Sequence, residues 1–195
     1  MIDIGTGDGR FVSATAGANS NKFFIGIDAN VKPLEKPSMK ATRKPAKGGL
    51  PNALFVQASV EDLPSELDGI ADEIHLHFPW GSLLKAVMSG EVRVLRSLRK
   101  IATVDCLLEI VIGIDPDRDR SELERLGLLD VDDHYLDSEL IPRYKAAGFE
   151  LVESGSLEPN VWSQMETSWA RRLSGNESRQ VTYFVFKAIS NAQIT

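Results

Sequence analysis

A glycine-rich turn near the start of the chain is the first segment whose residues could bind a ligand. Residues 3–9 read Asp-Ile-Gly-Thr-Gly-Asp-Gly, so three glycines within five residues follow an apolar segment. Glycines let the backbone approach a ligand closely, and the helix expected after them offers unpaired N–H groups and a positive dipole end. The motif differs from the dinucleotide fingerprint Gly-x-Gly-x-x-Gly, because residue 10 is Arg. This difference disfavours NAD as the ligand.

Acidic residues accompany the first three predicted strands. Asp3 belongs to the first strand, Asp28 ends the second, and Glu61 follows the third. A carboxylate at the end of the second strand can accept hydrogen bonds from both ribose hydroxyls of an adenosine group. Each acid alone could be an ordinary polar residue of a turn. Together they suit a ligand with a sulfonium and an amino group better than a pyrophosphate, and so they indicate S-adenosylmethionine.

Tryptophans lie at two places where a flat base could stack. Trp80 follows the fourth predicted strand, at the sheet edge where ligands of parallel α/β folds bind. Trp169 lies near the end of a predicted late helix and is followed by Arg171 and Arg172. Either tryptophan alone is more typical of a core, and we interpret Trp162 as a core residue. As a pair, Trp80 and Trp169 could enclose a base, since each stacked base contributes about 1 to 3 kcal/mol.

A basic segment follows the second strand. Five cations with no acid between them extend through the predicted second helix and the loop after it: Lys36, Lys40, Arg43, Lys44 and Lys47. Cations on a solvated helix face near its C-terminus are the simpler interpretation. In a chain of net charge −6, however, such a concentration favours contact with a structured polyanion.

No metal site is predicted from the sequence. His75 and His77 alternate on one face of a predicted strand, and no cysteine or third histidine lies near them in the chain. We therefore interpret both histidines as packed or edge residues.

Alternating strand and helix patterns must position these residues. The strands are predicted at residues 1–4, 23–28, 53–57, 73–78, 107–114, 149–153 and 181–189. The helices are predicted at residues 10–16, from Pro33 or Pro37 to near Lys44, and at residues 91–102 and 161–173. This alternation implies a parallel sheet with helices on both faces, closed by two late strands.

Composition narrows the class of protein. The chain has 195 residues, 43% hydrophobic and 26% charged, which suits one globular domain rather than a wholly basic nucleic-acid binder. The single cysteine excludes an intramolecular disulfide framework and favours a cytoplasmic location. No membrane helix or signal peptide is predicted. Residues 115–139 carry ten acids against three arginines, which predicts an exposed, partly helical insertion.

Five segments together resemble a known family. They are DIGTGDGR from residue 3, FIGID from residue 24, RKPAKGG from residue 43, FPWGSLL from residue 78 and SWARRL from residue 168. The set is similar to the aminoglycoside-resistance 16S ribosomal RNA adenine-N1 methyltransferases, the kanamycin and apramycin resistance enzymes that modify adenine 1408 of the decoding site. The likeness extends from residue 1 to about residue 188. It implies an α/β fold of the Rossmann-like class I S-adenosylmethionine-dependent methyltransferases, with a seven-stranded, mostly parallel sheet whose last strand is antiparallel.

The resemblance also implies roles for single residues. The cofactor site would comprise Asp3, Gly5, Thr6, Gly7, Asp28, Ala29, Ser59, Val60, Glu61, Phe78 and Ser82. The flipped adenine would be enclosed by Trp80 and Trp169, with Thr167 and Ser82 near it and Arg179 holding its backbone. The residues that would contact the RNA are Lys40, Arg43, Lys44, Lys47, Arg171 and Arg172. The family's N-terminal hairpin, which precedes the first strand and contributes to ribosome docking, has no counterpart in residues 1–195.

These expectations combine into one main hypothesis. A monomeric, cytoplasmic enzyme would transfer a methyl group from S-adenosylmethionine to N1 of adenine 1408 within the 30S subunit and so give aminoglycoside resistance. Two alternatives stay open on the sequence. One is a methyltransferase acting on another RNA or a small molecule, and the other is a non-catalytic ribosome binder.

Overall fold

The computed structural model describes residues 1–115, 117–129, 132–173 and 179–190, except for the side chains of Trp169 and Leu173. Within these residues, seven strands form one sheet in the order β3-β2-β1-β4-β5-β7-β6. The strands are β1 (Ile2–Ile4), β2 (Phe24–Asp28), β3 (Ala53–Gln57), β4 (Ala71–His77), β5 (Ala102–Ile114), β6 (Phe149–Ser156) and β7 (Gln180–Ala188). Neighbours among β1 to β5 pair in parallel, and β7 is antiparallel to both β5 and β6. The predicted fold class is therefore confirmed.

Helices cover the sheet between these strands. The longer ones are α1 (Arg10–Ala18), α2 (Val31–Ala41), α3 (Gly81–Ser89) and α4 (Val92–Ile101). The shorter ones are α5 (Arg120–Leu126), α6 (Asp133–Tyr135), α7 (Ile141–Ala146), α8 (Pro159–Trp162) and α9 (Ser168–Leu173). Single 3₁₀ turns lie at Pro45–Lys47 and Ser65–Leu67, and a π-helical turn lies at Leu136–Leu140. No helix in the described ranges is long and apolar enough to cross a membrane.

The core follows from the periodicity of the buried residues. In α4, Val94, Leu95, Leu98 and Ile101 are buried at helical spacing, as the pattern predicts. They join a large cluster with the central strands. A smaller cluster combines Phe78, Val111, Trp162, Ala170 and Val181 beside the end of β4. This second cluster fixes the segments that reach the sheet edge described below.

The prediction for the second helix is wrong at its N-terminus. Helix α2 begins at Val31, before both prolines. Pro33 lies in the first turn, where a backbone N–H would have no partner inside the helix. Pro37 lies inside the helix but is buried, and its Cβ lies 3.0 Å from the position that a Cβ on Gly9 would occupy. Burial of Pro37 against the glycine turn offsets the hydrogen bond that it cannot donate.

The single helix predicted at residues 161–173 is also wrong. Two short helices, α8 and α9, replace it, with an irregular segment between them. Thr167 starts α9, because its Oγ1 accepts a hydrogen bond from the Ala170 N–H at 2.9 Å. Trp162 ends α8 and is 1% exposed, so its interpretation as a core residue is confirmed.

Candidate active site

A cavity of about 370 Å³ opens at the carboxyl ends of β1, β2 and β4. Its size lies in the range of small-molecule sites. Every residue that the resemblance assigns to the cofactor lines it: Asp3, Gly5, Thr6, Gly7, Asp28, Ala29, Ser59, Val60, Glu61, Phe78 and Ser82. Trp80, Thr167 and Ser168 line the same cavity. Parallel strands deliver their ends to one sheet edge, and this brings together segments that are far apart in the chain.

The glycine turn forms one wall of this cavity in a conformation that other residues rarely adopt. Gly5, Gly7 and Gly9 have φ values of +76°, +56° and +66°. At Gly9, an added Cβ would lie 2.4 Å from a ring carbon of Phe55, so glycine is needed there for space as well as for conformation. The Gly5 and Thr6 N–H groups both donate to the Ile27 carbonyl, at 2.8 and 3.0 Å, which ties the turn to β2.

Asp28 connects the turn to the end of β2 through its carboxylate. Its Oδ2 accepts a hydrogen bond from the Gly7 N–H at 2.9 Å, and its Oδ1 accepts one from the Asn30 N–H at 2.8 Å. A carboxylate offers about four acceptor positions, so further donors can still bind. Asp28 is thus held in one orientation, and its carboxylate can accept further hydrogen bonds from a ligand in the cavity.

Asp3 places a carboxyl group deep in the same cavity. It is 3% exposed. Burial raises the pKa of the Asp3 carboxyl, and the nearby His77 acts in the opposite direction. A ligand with a positive charge close to Asp3 would favour the carboxylate form and relieve the cost of burying it. Glu61, whose side chain is hydrogen-bonded to Ser59, adds a second acid on the β3 side.

The segment that carries Trp80 is held by a strained residue. Phe78 has φ +52°, which is unusual for a bulky side chain. Its N–H donates to the Val111 carbonyl at 2.7 Å, and its ring lies 6.4 Å from the ring of Trp162 in an edge-on arrangement. The backbone therefore turns sharply after β4, and the half-buried Trp80 lines the cavity. Strain of this kind is typical of functional sites.

Helix α9 begins at the other side of the cavity, because Thr167 and Ser168 both line it. The backbone of Trp169 belongs to this helix, but its side chain lies outside the described residues. The expected meeting of the two indole rings across the cavity therefore stays a prediction.

Arg179 does not line the cavity. Its guanidinium lies 2.6 Å from Asp119 and donates to the Gly113 carbonyl at 2.8 Å, and its side chain is 7% exposed. In this structure Arg179 therefore links the start of β7 to the end of β5 and to the residue before α5. The grip on a nucleotide that the resemblance implies would require this ion pair to open, so that role stays a prediction.

The cations predicted to meet RNA lie outside the cavity. Lys40, Arg43, Lys44 and Lys47 are all exposed, on the last turn of α2 and on the segment that follows it. The exposed Arg171 and Arg172 lie on α9, where Arg171 contacts Glu166 at 3.1 Å. The cations thus lie on two elements, of which α9 also borders the cavity.

Sequence reasoning did not assign the buried His77 to the cavity wall. Its Nε2 lies 2.6 Å from Oε1 of Glu109, and Nδ1 of His75 lies 3.2 Å from the same oxygen. Hydrogen bonds from His75 and His77 hold the pKa of Glu109 well below its usual range. Burial acts to lower the pKa of His75, but Glu109, Asp3 and Glu73 together outweigh burial and raise this pKa. The alternation of the two histidines was visible in the sequence, whereas their pairing with β5 was not.

Together, the sheet order, the glycine turn after β1 and the acid at the end of β2 define a class I S-adenosylmethionine-dependent methyltransferase. The family model described as "NpmA: 16S rRNA (adenine(1408)-N(1))-methyltransferase" matches residues 1–188. The chain belongs to this family, as its motifs predicted.

Relatives and solved structures agree with this assignment. A 16S rRNA (adenine(1408)-N(1))-methyltransferase of Streptoalloteichus tenebrarius is 35% identical over 185 residues, covering 92% of this chain and 82% of the relative. The crystal structure of the aminoglycoside resistance methyltransferase NpmB1 is 49% identical, with a TM-score of 0.85 over 96% of this chain and 86% of that one. A mutant of the enzyme from Catenulisporales acidiphilia, crystallised with cosubstrate SAM, is 32% identical, with a TM-score of 0.88 over 97% and 85% of the two chains.

The ion pair of Arg179 generates a prediction about stability in the absence of RNA. We expect Arg179→Ala to lower the free energy of unfolding by about 1 to 3 kcal/mol, because it removes the charged partner of the largely buried Asp119 carboxylate and leaves it only the Asp115 N–H. Urea unfolding followed by circular dichroism measures this change. Arg120→Ala, which removes the exposed ion pair with Glu124, is the matched control and should cost less than about 1 kcal/mol. Equal stability of Arg179→Ala and the parent protein would contradict a structural role.

Proposed function

We propose that this chain transfers a methyl group from S-adenosylmethionine to N1 of adenine 1408 of 16S rRNA in the 30S subunit, and that this modification gives its host aminoglycoside resistance. One observation carries the proposal. A single cavity joins a cofactor-type wall of glycines and acids to Trp80 and to the start of the helix that bears Trp169. The names of the relatives support the same substrate.

The polar groups that line the cavity suit the chemical groups of S-adenosylmethionine. Asp28 is oriented by two backbone N–H groups and would accept hydrogen bonds from the ribose hydroxyls. The buried Asp3 gains from a cation beside it, which the amino or sulfonium group would supply. The backbone of the glycine turn would lie along the ligand without side chains between them. When bound, this cofactor supplies an electrophilic methyl group on a positively charged sulfur.

The main role of the residues in this chain is to position the cofactor and the base, not to transfer a proton. N1 of neutral adenine already carries a lone pair, so no group on the protein has to remove a proton before attack. Holding two reactants in line can contribute up to about 7 to 11 kcal/mol. The base becomes positively charged as it is methylated, and the indole faces of Trp80 and Trp169 would stabilise that charge by about 0.5 to 2 kcal/mol each. Stacking on them would also offset the few kcal/mol needed to extrude the base.

We propose that the substrate is the 30S subunit. The exposed cations of the chain are concentrated after α2 and on α9, which suits docking on a structured RNA surface. A protein of net charge −6 is repelled by RNA over most of its surface. The exposed cations after α2 and on α9 would therefore orient it, with its cavity towards the RNA. We propose that the chain acts as a monomeric single domain in the cytoplasm, where assembled ribosomal subunits are found.

Cofactor binding should depend on Asp28. We expect Asp28→Ala to weaken S-adenosylmethionine binding by about 10- to 100-fold, because hydrogen bonds to a charged group contribute about 1.5 to 3 kcal/mol each. Isothermal titration calorimetry measures the affinity. Asp62→Ala, which removes an exposed acid that lies next to Glu61 but does not line the cavity, is the control and should bind like the parent. Full affinity in Asp28→Ala would contradict the assignment of this cavity wall to the cofactor. If the parent protein bound no cofactor, that result would favour a non-catalytic ribosome binder.

Methylation of the target base should depend on both tryptophans. We expect Trp80→Ala and Trp169→Ala each to lower methylation of 30S subunits by about 10- to 100-fold while cofactor affinity stays within twofold, because each stacked base is worth about 1 to 3 kcal/mol. Primer extension on 16S rRNA detects the product, since N1-methyladenine stops reverse transcriptase. Trp80→Phe and Trp169→Phe keep an aromatic face and should retain most activity. Unchanged methylation in both alanine variants would remove the tryptophans from the mechanism, and a stop at another nucleotide would favour a different RNA substrate.

Docking on the 30S subunit should depend on the exposed cations after α2. We expect the double change Lys40→Glu and Lys44→Glu to weaken 30S binding at low salt, and we expect the affinity of the parent to fall as salt rises. Filter binding at several salt concentrations measures both effects. Lys145→Glu reverses an exposed cation on α7, which packs beside β6 at the opposite edge of the sheet, and should bind like the parent. Salt-independent binding, or equal losses from the double variant and from Lys145→Glu, would contradict the docking surface.

A further inference from the structure

Three side chains that could hold a metal ion lie together beside the cavity. His75 and His77 are alternate residues of β4, so both side chains lie on one face of the sheet. Glu109 lies opposite His75 in the parallel pairing of β4 with β5. Within the described part of the chain, these residues form a group whose potential ligand atoms all lie within 4.8 Å of one another. Sequence reasoning could not find this group, because only the register of β4 and β5 brings Glu109 to the histidines.

The distances inside this group are close to those of a coordination sphere. Oε1 of Glu109 lies 3.2 Å from Nδ1 of His75 and 2.6 Å from Nε2 of His77. Ligands bound tetrahedrally to zinc at about 2.0 to 2.2 Å are separated from one another by about 3.3 Å. The distance from Glu109 to His75 therefore already fits, and the distance from Glu109 to His77 would have to open by less than an ångström. The two histidine nitrogens lie within 4.8 Å of each other.

Neighbouring residues orient the two imidazoles. The second nitrogen of His75, Nε2, lies 3.6 Å from a carboxylate oxygen of Glu73. A carboxylate hydrogen-bonded to the far nitrogen is the usual partner of a histidine that binds a metal, and Glu73 would have to move slightly closer to make that bond. The ring of Phe11 packs against both imidazoles, with centroid distances of 5.4 and 4.6 Å. Ring rotation is thereby restricted before any ion arrives.

Exposure to solvent differs among the three members of this group. The side chain of Glu109 is 36% exposed and that of His75 is 16% exposed, whereas that of His77 is 3% exposed. An ion could therefore enter past Glu109 and keep water as a further ligand, while His77 holds it against the protein. His77 also lines the cofactor cavity, so such an ion would lie next to the cavity wall.

We propose that His75, His77 and Glu109 bind one divalent ion of the zinc class, with water completing its coordination. Two imidazole nitrogens and one carboxylate oxygen are a donor set found in zinc sites, whereas magnesium and calcium prefer oxygen ligands alone. The ion joins β4 to β5 just before the turn at Phe78 that leads to Trp80. It thereby stabilises the strand end from which the Trp80 segment departs. This inference does not depend on the proposed methyl transfer.

Metal titration of the purified full chain tests the proposal. After treatment with EDTA and removal of the chelator, Zn²⁺ is titrated by calorimetry, with Mg²⁺ as the comparison. We expect one equivalent of Zn²⁺ to bind at least 100-fold more tightly than Mg²⁺, and the thermal midpoint to rise with free Zn²⁺. Absence of stoichiometric zinc binding would overturn the proposal and leave His75, His77 and Glu109 as a hydrogen-bonded cluster only.

Variants locate the ion. His75→Asn and Glu109→Gln should each weaken zinc binding at least tenfold, whereas His134→Asn, which changes an exposed histidine on α6, should not. Zinc affinity that falls only in His134→Asn, or that is equal in all three variants, would overturn the site. Co²⁺ in the unmodified protein gives a check that needs no variant to fold. We expect a visible ligand-field band that Zn²⁺ abolishes, and a spectrum identical to that of aqueous Co²⁺ would also overturn the site.

Discussion

The attachment of the glycine turn to the end of β2 is the constraint on which the rest of the site depends. Two backbone N–H groups of the turn reach the Ile27 carbonyl, and a third reaches the Asp28 carboxylate. These contacts hold the turn in left-handed conformations that most side chains would not tolerate. They also orient Asp28 with its remaining acceptor positions unused. One set of hydrogen bonds therefore shapes the cavity wall and positions the acid most suited to a ribose.

The opposite wall is built by packing instead of by hydrogen bonds. Phe78 adopts a strained backbone conformation because Val111 binds its N–H and the small cluster around Trp162 receives its ring. This packing sends the chain directly from a buried strand to Trp80. The same cluster contains Ala170 of α9, so it also anchors the helix that bears Trp169. A hydrophobic cluster of few residues thus controls the two segments from which the tryptophans extend.

Charge is distributed unevenly over the molecule, and this distribution would orient the protein on an RNA surface. Acids are buried or partly buried in the cavity, where a cationic cofactor would compensate them, while exposed cations follow α2 and lie on α9. The arginine that resemblance assigns to the flipped nucleotide is instead neutralised by Asp119. Access of Arg179 to RNA would therefore require movement of the segment that begins α5. The His75, His77 and Glu109 group borders the same cavity, because His77 lines it.

The sequence by itself determined the approximate bounds of the seven strands, the position of the glycine turn, the place of Asp28 at the end of β2 and the family. Each of these depends on short-range patterns of apolar residues, glycines and motifs. Sequence reasoning failed where packing overrides local preference. Buried Pro37 lies inside α2, and Thr167 starts a new helix where one continuous helix was predicted. Only the tertiary structure decided that Arg179 pairs with Asp119 and that Glu109 meets His75 and His77, which are 60, 34 and 32 residues apart in the chain. Such pairings depend on strand register and on how connections cross the sheet, and these are set by the packing of the whole chain rather than by any local segment.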